Sequence, residues 1–316
     1  MISYPYALQH PSVTSGLVRW LGMSITVPET WEIMRHSVQE ARGQLAWCDR
    51  RHQRLLLSWS TCATRPDVQR LFSDYKARDS EAERKSRFHD LAQVDGWTGY
   101  RRRSSSAGAV RLTRAGRYEP VLKRWIELTI PWEVPHDGEL EAELLAGFSV
   151  GNGTDSAAAS VGREVWQAFG LRVEAPRDMK LVHVEPKPAD LRVTFRRGRD
   201  EAVVRRLGML RAWFNGDLTA WLEKEADKCP GILDACSPPG NALCDTEPAA
   251  TSAVTFAGWE AGPRWRSLLG LRRERLDRAW VCPSSQTICH VMTLSFPGQP
   301  LRPEDFAVSC SAFKGH

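Results

Sequence analysis

Residues 21–33, LGMSITVPETWEI, place apolar Met23, Ile25 and Val27 between polar Ser24 and Thr26. That alternation is the period of a half-buried strand. Pro28 ends the strand, because proline cannot donate to a ladder, and Trp31 and Ile33 begin the next. Gly43–Trp47 and Arg54–Trp59 read as two more strands. Pro66–Arg78 then reads as a helix with Val68, Leu71, Phe72 and Tyr75 on one face. Strands at Ala109–Thr113 and Lys123–Pro131 complete the first half. In the second half Leu191–Phe195 is predicted as a strand and Asp200–Glu225 as a long helix. That helix carries Val203, Leu207, Leu210, Phe214, Leu218 and Leu222 at helical spacing. Strands return at Ala253–Trp259 and over Ala279–Phe296.

A second copy of the opening pattern lies downstream. Residues 169–181 read FGLRVEAPRDMKL and align with 21–33 at a constant offset of 148. Leu21 falls on Phe169, Gly22 on Gly170, Pro28 on Pro176, and Trp31 on Met179. Strands, then a helix, then strands, twice over, predicts an α+β fold: two tandem copies of an antiparallel sheet packed with helices. Residues 1–150 form the first copy, 151–162 a linker and 163–316 the second. The linker is rich in Gly, Ser and Ala. Cys229–Ala250, full of Pro and Gly, reads as a long loop, and residues 79–106 as a polar stretch.

The order strand, Pro-x-x-Trp, strand, strand, helix resembles the units of the PsbP-like sandwich proteins over residues 17–78. It does so more weakly over 165–226, where Met179 replaces the Trp. The resemblance implies small, non-enzymatic binding or assembly modules, and it carries over no functional residue.

Composition narrows the class without naming a function. The 316 residues are 42% hydrophobic and 26% charged, as in globular chains. The 13 Trp are spread along the sequence, which favours core positions over one aromatic platform. No basic n-region precedes an apolar h-region at the N-terminus, and no apolar run approaches the ~18 residues of a membrane span. Eight Cys are too few for a disulfide scaffold. Reduced thiols, a cytoplasmic location and no membrane partner are the expectation.

Nucleophile elbows, phosphate-binding glycine loops and paired zinc-protease histidines do not occur. His52 is expected in a hairpin turn, and His89-Asp90 sit side by side without a shared face. The candidate metal ligands are Cys282, Cys289, Cys310 and His316, where zinc would need four soft donors drawn together from a hairpin and the C-terminus. Cys229, Cys236 and Cys244 form a looser series.

Arginine dominates the basic residues, 35 Arg against 8 Lys, at a formal charge of only +5. The runs Arg101-Arg102-Arg103, Arg196-Arg197, and Arg264, Arg266, Arg272 and Arg273 are the candidate nucleic-acid or partner contacts. Guanidinium forks suit phosphate and carboxylate, and Trp97, Tyr100 and Trp265 lie nearby. Three readings follow. The first is a non-enzymatic binding or assembly subunit of a multiprotein complex. The second is a nucleic-acid-binding protein using the Arg segments, and the third an enzyme with an unfamiliar site. The expected partner is protein, or failing that nucleic acid.

Overall fold

A computed structural model describes residues 15–82, 86–92, 94–104, 109–133, 135–151, 162–227, 229–236, 253–260, 272–282, 285–298 and 300–310, with 81, 82 and 234–236 by backbone alone. The chain divides into two compact units. One holds described residues to Val18 and from Met23 to Gly151; the other holds Arg19–Gly22 and the described residues from Gly162 on.

The α+β expectation is overturned. Twenty strands carry most of the described residues, against four α-helices, of which only one exceeds nine residues. The fold is mostly β, with antiparallel sheets. The long helix expected over 200–225 is the main source of the difference. Residues 200–207 form a strand, and only 210–213 and 218–226 are helical. Ala202 and Val204 are wholly buried at alternate positions of that strand. Leu207 is buried and Val203 half-buried on the other face of the strand, and apolar residues on both faces also fit a helical spacing.

The first half of the chain has β1 (Ser15–Trp20), whose last two residues count with the second unit, then β2 (Met23–Pro28), β3 (Glu32–Arg35), β4 (Arg42–Cys48), β5 (Gln53–Thr61), β6 (Arg87–Asp90), β7 (Thr98–Arg103), β8 (Val110–Glu119), β9 (Arg124–Pro131) and β10 (Phe148–Val150). Helix α1 (Val68–Ala82) follows β5, and α2 (Gly138–Ala146) precedes β10. Seven strands form one sheet in the order β3-β4-β5-β9-β8-β7-β6.

The second unit has β11 (Arg163–Ala168), β12 (Leu171–Pro176), β13 (Lys180–Lys187), β14 (Asp190–Arg197), β15 (Asp200–Leu207), β16 (Gly231–Cys236), β17 (Ala253–Trp259), β18 (Glu274–Cys282), β19 (Thr287–Ser295) and β20 (Ala307–Cys310). Short helices α3 (Leu210–Trp213) and α4 (Leu218–Ala226) follow β15. Its seven-stranded sheet runs β13-β14-β15-β19-β18-β17-β16, the first sheet's order with ten added to every label. Small strands cover one face of each sheet. In the first unit β10 brings Phe148 within 5.3 Å of the Trp97 ring, and in the second Phe195 of β14 meets Phe306 beside β20 at 6.1 Å.

The aligned sequence segments occupy like places. Leu21-Gly22 and Phe169-Gly170 both have positive φ, at 50° and 76° and at 51° and 71°. Two positive-φ residues make the tight turn whose twist suits a two-residue hairpin, and glycine takes that conformation without strain at the second place. After the hairpins, Trp31 N–H donates to the Pro28 carbonyl and Met179 N–H to that of Pro176. Each proline thus ends its strand and opens a turn.

Buried rows crossing the strands build each core. In the first unit Leu45, Leu57, Leu128 and Ala115 are directly opposed across β4, β5, β9 and β8, and none is more than 1% exposed. In the second unit Val184, Val193, Val204 and Val291 form a buried row across β13, β14, β15 and β19. On the opposite face α1 packs Phe72 against Tyr100 and Trp125, with Val68, Leu71 and Tyr75 at its margin. Helix α4 sets Leu218, Leu222 and Ala226 over Val254, Phe256, Ala279 and Ile288. Gly116 is required under the first helix, since a Cβ there would lie 2.2 Å from the Trp125 ring.

Trp47, Trp59, Met179 and Phe195 are buried, whereas Trp31 and Phe169 are only half-buried beside their turns. Truncating Trp47 to Ala should therefore cost about 3–5 kcal/mol in denaturant unfolding, and Trp31→Ala clearly less. Equal losses at the two positions would contradict this layering.

Candidate functional site

The Arg segments are not a uniform basic face. Arg101 is half-buried on β7 and grips Glu141 of α2 through Nε and Nη2, with Nε to Oε1 at 2.9 Å. Glu141 is 1% exposed and also accepts from Thr113 Oγ1 at 2.7 Å and contacts His136 Nε2 at 2.7 Å. Asp137 caps α2 by accepting from the backbone N–H groups of Glu139 and Leu140. That start to the helix aims Glu141, one turn later, into the sheet. Burial works to raise the Glu141 carboxyl, but its bonds to Arg101, Thr113 and His136 outweigh that and hold it below its ordinary value.

Three of the other candidates also hold carboxylates. Arg196 pairs with Glu201, Arg197 with Asp178 and Asp200, and Arg273 with Glu260. Arg272 donates to the Glu260 carbonyl and lies 5.9 Å from the Trp259 ring centre. Arg102 is half-buried and Arg103 exposed on β7. Arg264 and Arg266 lie outside the described residues.

A second buried cluster escaped the sequence reading. On β18 Arg275 donates from Nε to Asp277 at 2.7 Å and from Nη2 to its other oxygen at 2.9 Å. His290 on β19 sets Nε2 2.8 Å from the same carboxylate, and Trp221 of α4 meets the imidazole edge-on at 5.4 Å. Arg275 also donates to Cys229 Sγ at 3.1 Å. Burial pushes the Asp277 carboxyl up, and His290 and Arg275 more than reverse that. The sequence did hold a signal for such pairs. In a strand i and i+2 share a face, and Arg117/Glu119, Arg172/Glu174, Glu185/Lys187, Asp190/Arg192 and Arg275/Asp277 are all ion-paired at that spacing.

Among the proposed metal ligands, Cys289 and Cys310 stand with Sγ atoms 3.4 Å apart, and Cys282 hydrogen-bonds both thiols. His316 lies outside the described residues, as does Cys244. Among the described residues no group of three or more His, Cys, Asp or Glu is disposed to hold a metal ion. His52 closes a turn whose Asp49 carboxylate accepts from the His52 and Arg51 N–H groups. The expected loop over 229–250 contains strand β16. No described helix is long and apolar enough to cross a membrane.

The outer strands of the second sheet present a different surface. Ile232, Ala257, Leu276 and Thr293 are directly opposed across β16, β17, β18 and β19. Exposure falls along this row from 70% at Ile232, through exposed Ala257 and half-buried Leu276, to 0% at Thr293. Trp259, two residues along β17 on the same face, is also exposed. Among the described residues no strand pairs with the outer edge of β16.

No family model matches the chain, and no curated protein is significantly similar to it.

The ion pairs set an acid limit on stability. Glu141 and Asp277 have lowered folded values, so their contribution is present above the unfolded carboxyl range near pH ~4 and is lost as pH falls through the folded values. Unfolding free energy should drop steadily below about pH 4, and Glu141→Gln should flatten part of that fall. Arg101→Met should cost about 3 kcal/mol at neutral pH, because a buried carboxylate loses its cation. An unchanged denaturation midpoint in Arg101→Met would refute that assignment.

Proposed function

We propose that this chain is a binding or assembly subunit, whose protein partner docks on the outer strands of the second sheet. The apolar row that emerges at Ile232, beside Trp259 and an edge strand, is the observation that carries the reading. An exposed edge offers backbone hydrogen bonds to an added strand, and apolar side chains next to it give that contact affinity. The shared strand order of the two sheets supports descent by duplication, which supplies related binding frames without a new core.

A second reading rests on a separate feature. Arg87 and Arg103 are directly opposite on β6 and β7, and both are exposed. Like charges facing each other across a sheet repel, and a phosphate between them would relieve this. The nucleic-acid alternative therefore belongs to this edge rather than to Arg101, Arg196, Arg197 or Arg273, which hold carboxylates.

Purifying the tagged full chain from its native cells and cross-linking what accompanies it separates these readings. Cross-links to β16–β17 are expected, and the double change Ile232→Asp, Trp259→Ser should remove the partner while leaving the melting temperature within a few degrees. A partner retained by that variant sinks the docking surface. If the edge at Arg87 and Arg103 binds nucleic acid instead, Arg87→Gln with Arg103→Gln should make the slope of log affinity against log salt shallower. The change should be at most ~2, about one for each phosphate that an arginine no longer neutralises.

A further inference from the structure

The second unit contains a thiol cluster that neither charge pairing nor partner docking uses. Cys289 is on β19, at the middle of the seven-stranded sheet, and Cys310 ends β20, which belongs to the small layer covering it. Their Sγ atoms are 3.4 Å apart. Cys289 and Cys282 are 0% exposed, while Cys310 is half-buried. The three thiols are therefore reached from outside through Cys310. Pairing geometry separates the two possible partners of Cys289. Trp280, not Cys282, is directly opposite Cys289 on β18, so Cys282 is its diagonal neighbour. Diagonal neighbours have Cβ atoms roughly 7 Å apart, against about 3.8 Å in a disulfide. Cys310 approaches from the facing layer, where no ladder fixes its spacing to Cys289.

We propose that Cys289 and Cys310 are a disulfide-forming pair, a redox modification site that fastens the covering strand β20 onto the central strand β19. The oxidant is a small-molecule disulfide. The Cys310 thiolate attacks one sulfur of that disulfide, forming a mixed disulfide and expelling one thiolate. The Cys289 thiolate then attacks the Cys310 sulfur, forming the Cys289–Cys310 bond and expelling the second. The protons from the two cysteine thiols go to the two released thiolates, so two protein thiols are oxidised and one small disulfide is reduced to two thiols. Cys282, hydrogen-bonded to both, supports the pair without joining it. Its hydrogen bond and burial hold the Cys310 thiol above its ordinary value, so oxidation should quicken as pH rises.

The test uses the reduced full chain incubated with oxidised glutathione, followed by non-reducing digestion and mass spectrometry. The expected result is one cross-linked peptide joining Cys289 to Cys310, retained in Cys282→Ser and lost in Cys310→Ser. Oxidation should also raise the thermal midpoint of the wild-type chain, with dithiothreitol reversing the rise and Cys310→Ser abolishing it. Circular dichroism of each variant before oxidation confirms that it is folded, and the wild-type cross-link decides the matter should a variant fail to fold. Cys310 carrying glutathione with no cross-link, a bridge from Cys289 to Cys282 or to Cys229, or thiols that stay reduced would each overturn the proposal.

Discussion

The register of the central strands is the constraint on which the rest of the protein depends. Val184, Val193, Val204 and Val291 meet across four strands, as Leu45, Leu57, Leu128 and Ala115 do in the other unit. A slip of one residue would send every one of these side chains to the opposite face. Burying each is favourable by about 1.5–3 kcal/mol for the larger ones, so the register is held by many side chains at once. Everything later in the chain's chemistry inherits its position from that register. Arg275 and Asp277 share a face because strand β18 is fixed, and His290 stands beside them because β19 is fixed against β18.

Charge follows from the same geometry. A chain with 43 basic and 38 acidic residues has nearly as many carboxylates as cations, and strands bring the two together at every second residue. The result is a set of local ion pairs along the sheets, together with two deeply buried carboxylates, Glu141 and Asp277. Exposed pairs of this kind contribute little each, typically under about 1 kcal/mol. The buried ones matter through the geometry they demand: an unpaired carboxylate in either core would be far costlier than the pair is favourable. Arg101, Arg196, Arg197 and Arg273 are accordingly held by carboxylates of the fold itself.

Both helix-covered faces solve one packing problem with different residues. The first unit uses Phe72, Tyr100 and Trp125, whose polar ends are satisfied within the cluster: Tyr75 and Trp125 donate to Glu127, and Tyr100 to Asp79. Burial and those carboxylates push both phenols up, so they stay protonated donors. The second unit uses aliphatic residues from α4 and leaves its polar groups to the Asp277 cluster. The two sheets share a strand order but carry unlike side chains, with Ile232 exposed on β16 and Arg87 exposed on β6.

What the sequence determined by itself was local. Period-two alternation, the Gly at each hairpin turn and the Pro after each second strand located β2 and β12, and the repeated spacing showed where like elements recur. The face of α1 was legible because Val68, Leu71, Phe72 and Tyr75 recur at helical spacing beside polar residues. Residues 200–207 carry no clean polar alternation, with charged residues on both faces of the strand, and apolar residues at 203, 207 and 210 then fit a helix equally well. The strand at 231–236 was hidden by its Gly and Pro neighbours. The tertiary structure alone decided which charges met over long separations. Arg101 and Glu141 are 40 residues apart, and no spacing rule joins a strand to a helix across a sheet. The meeting of Cys289 with Cys310 likewise depends on one layer closing over another, because a contact between layers is set by packing and not by any period along the chain.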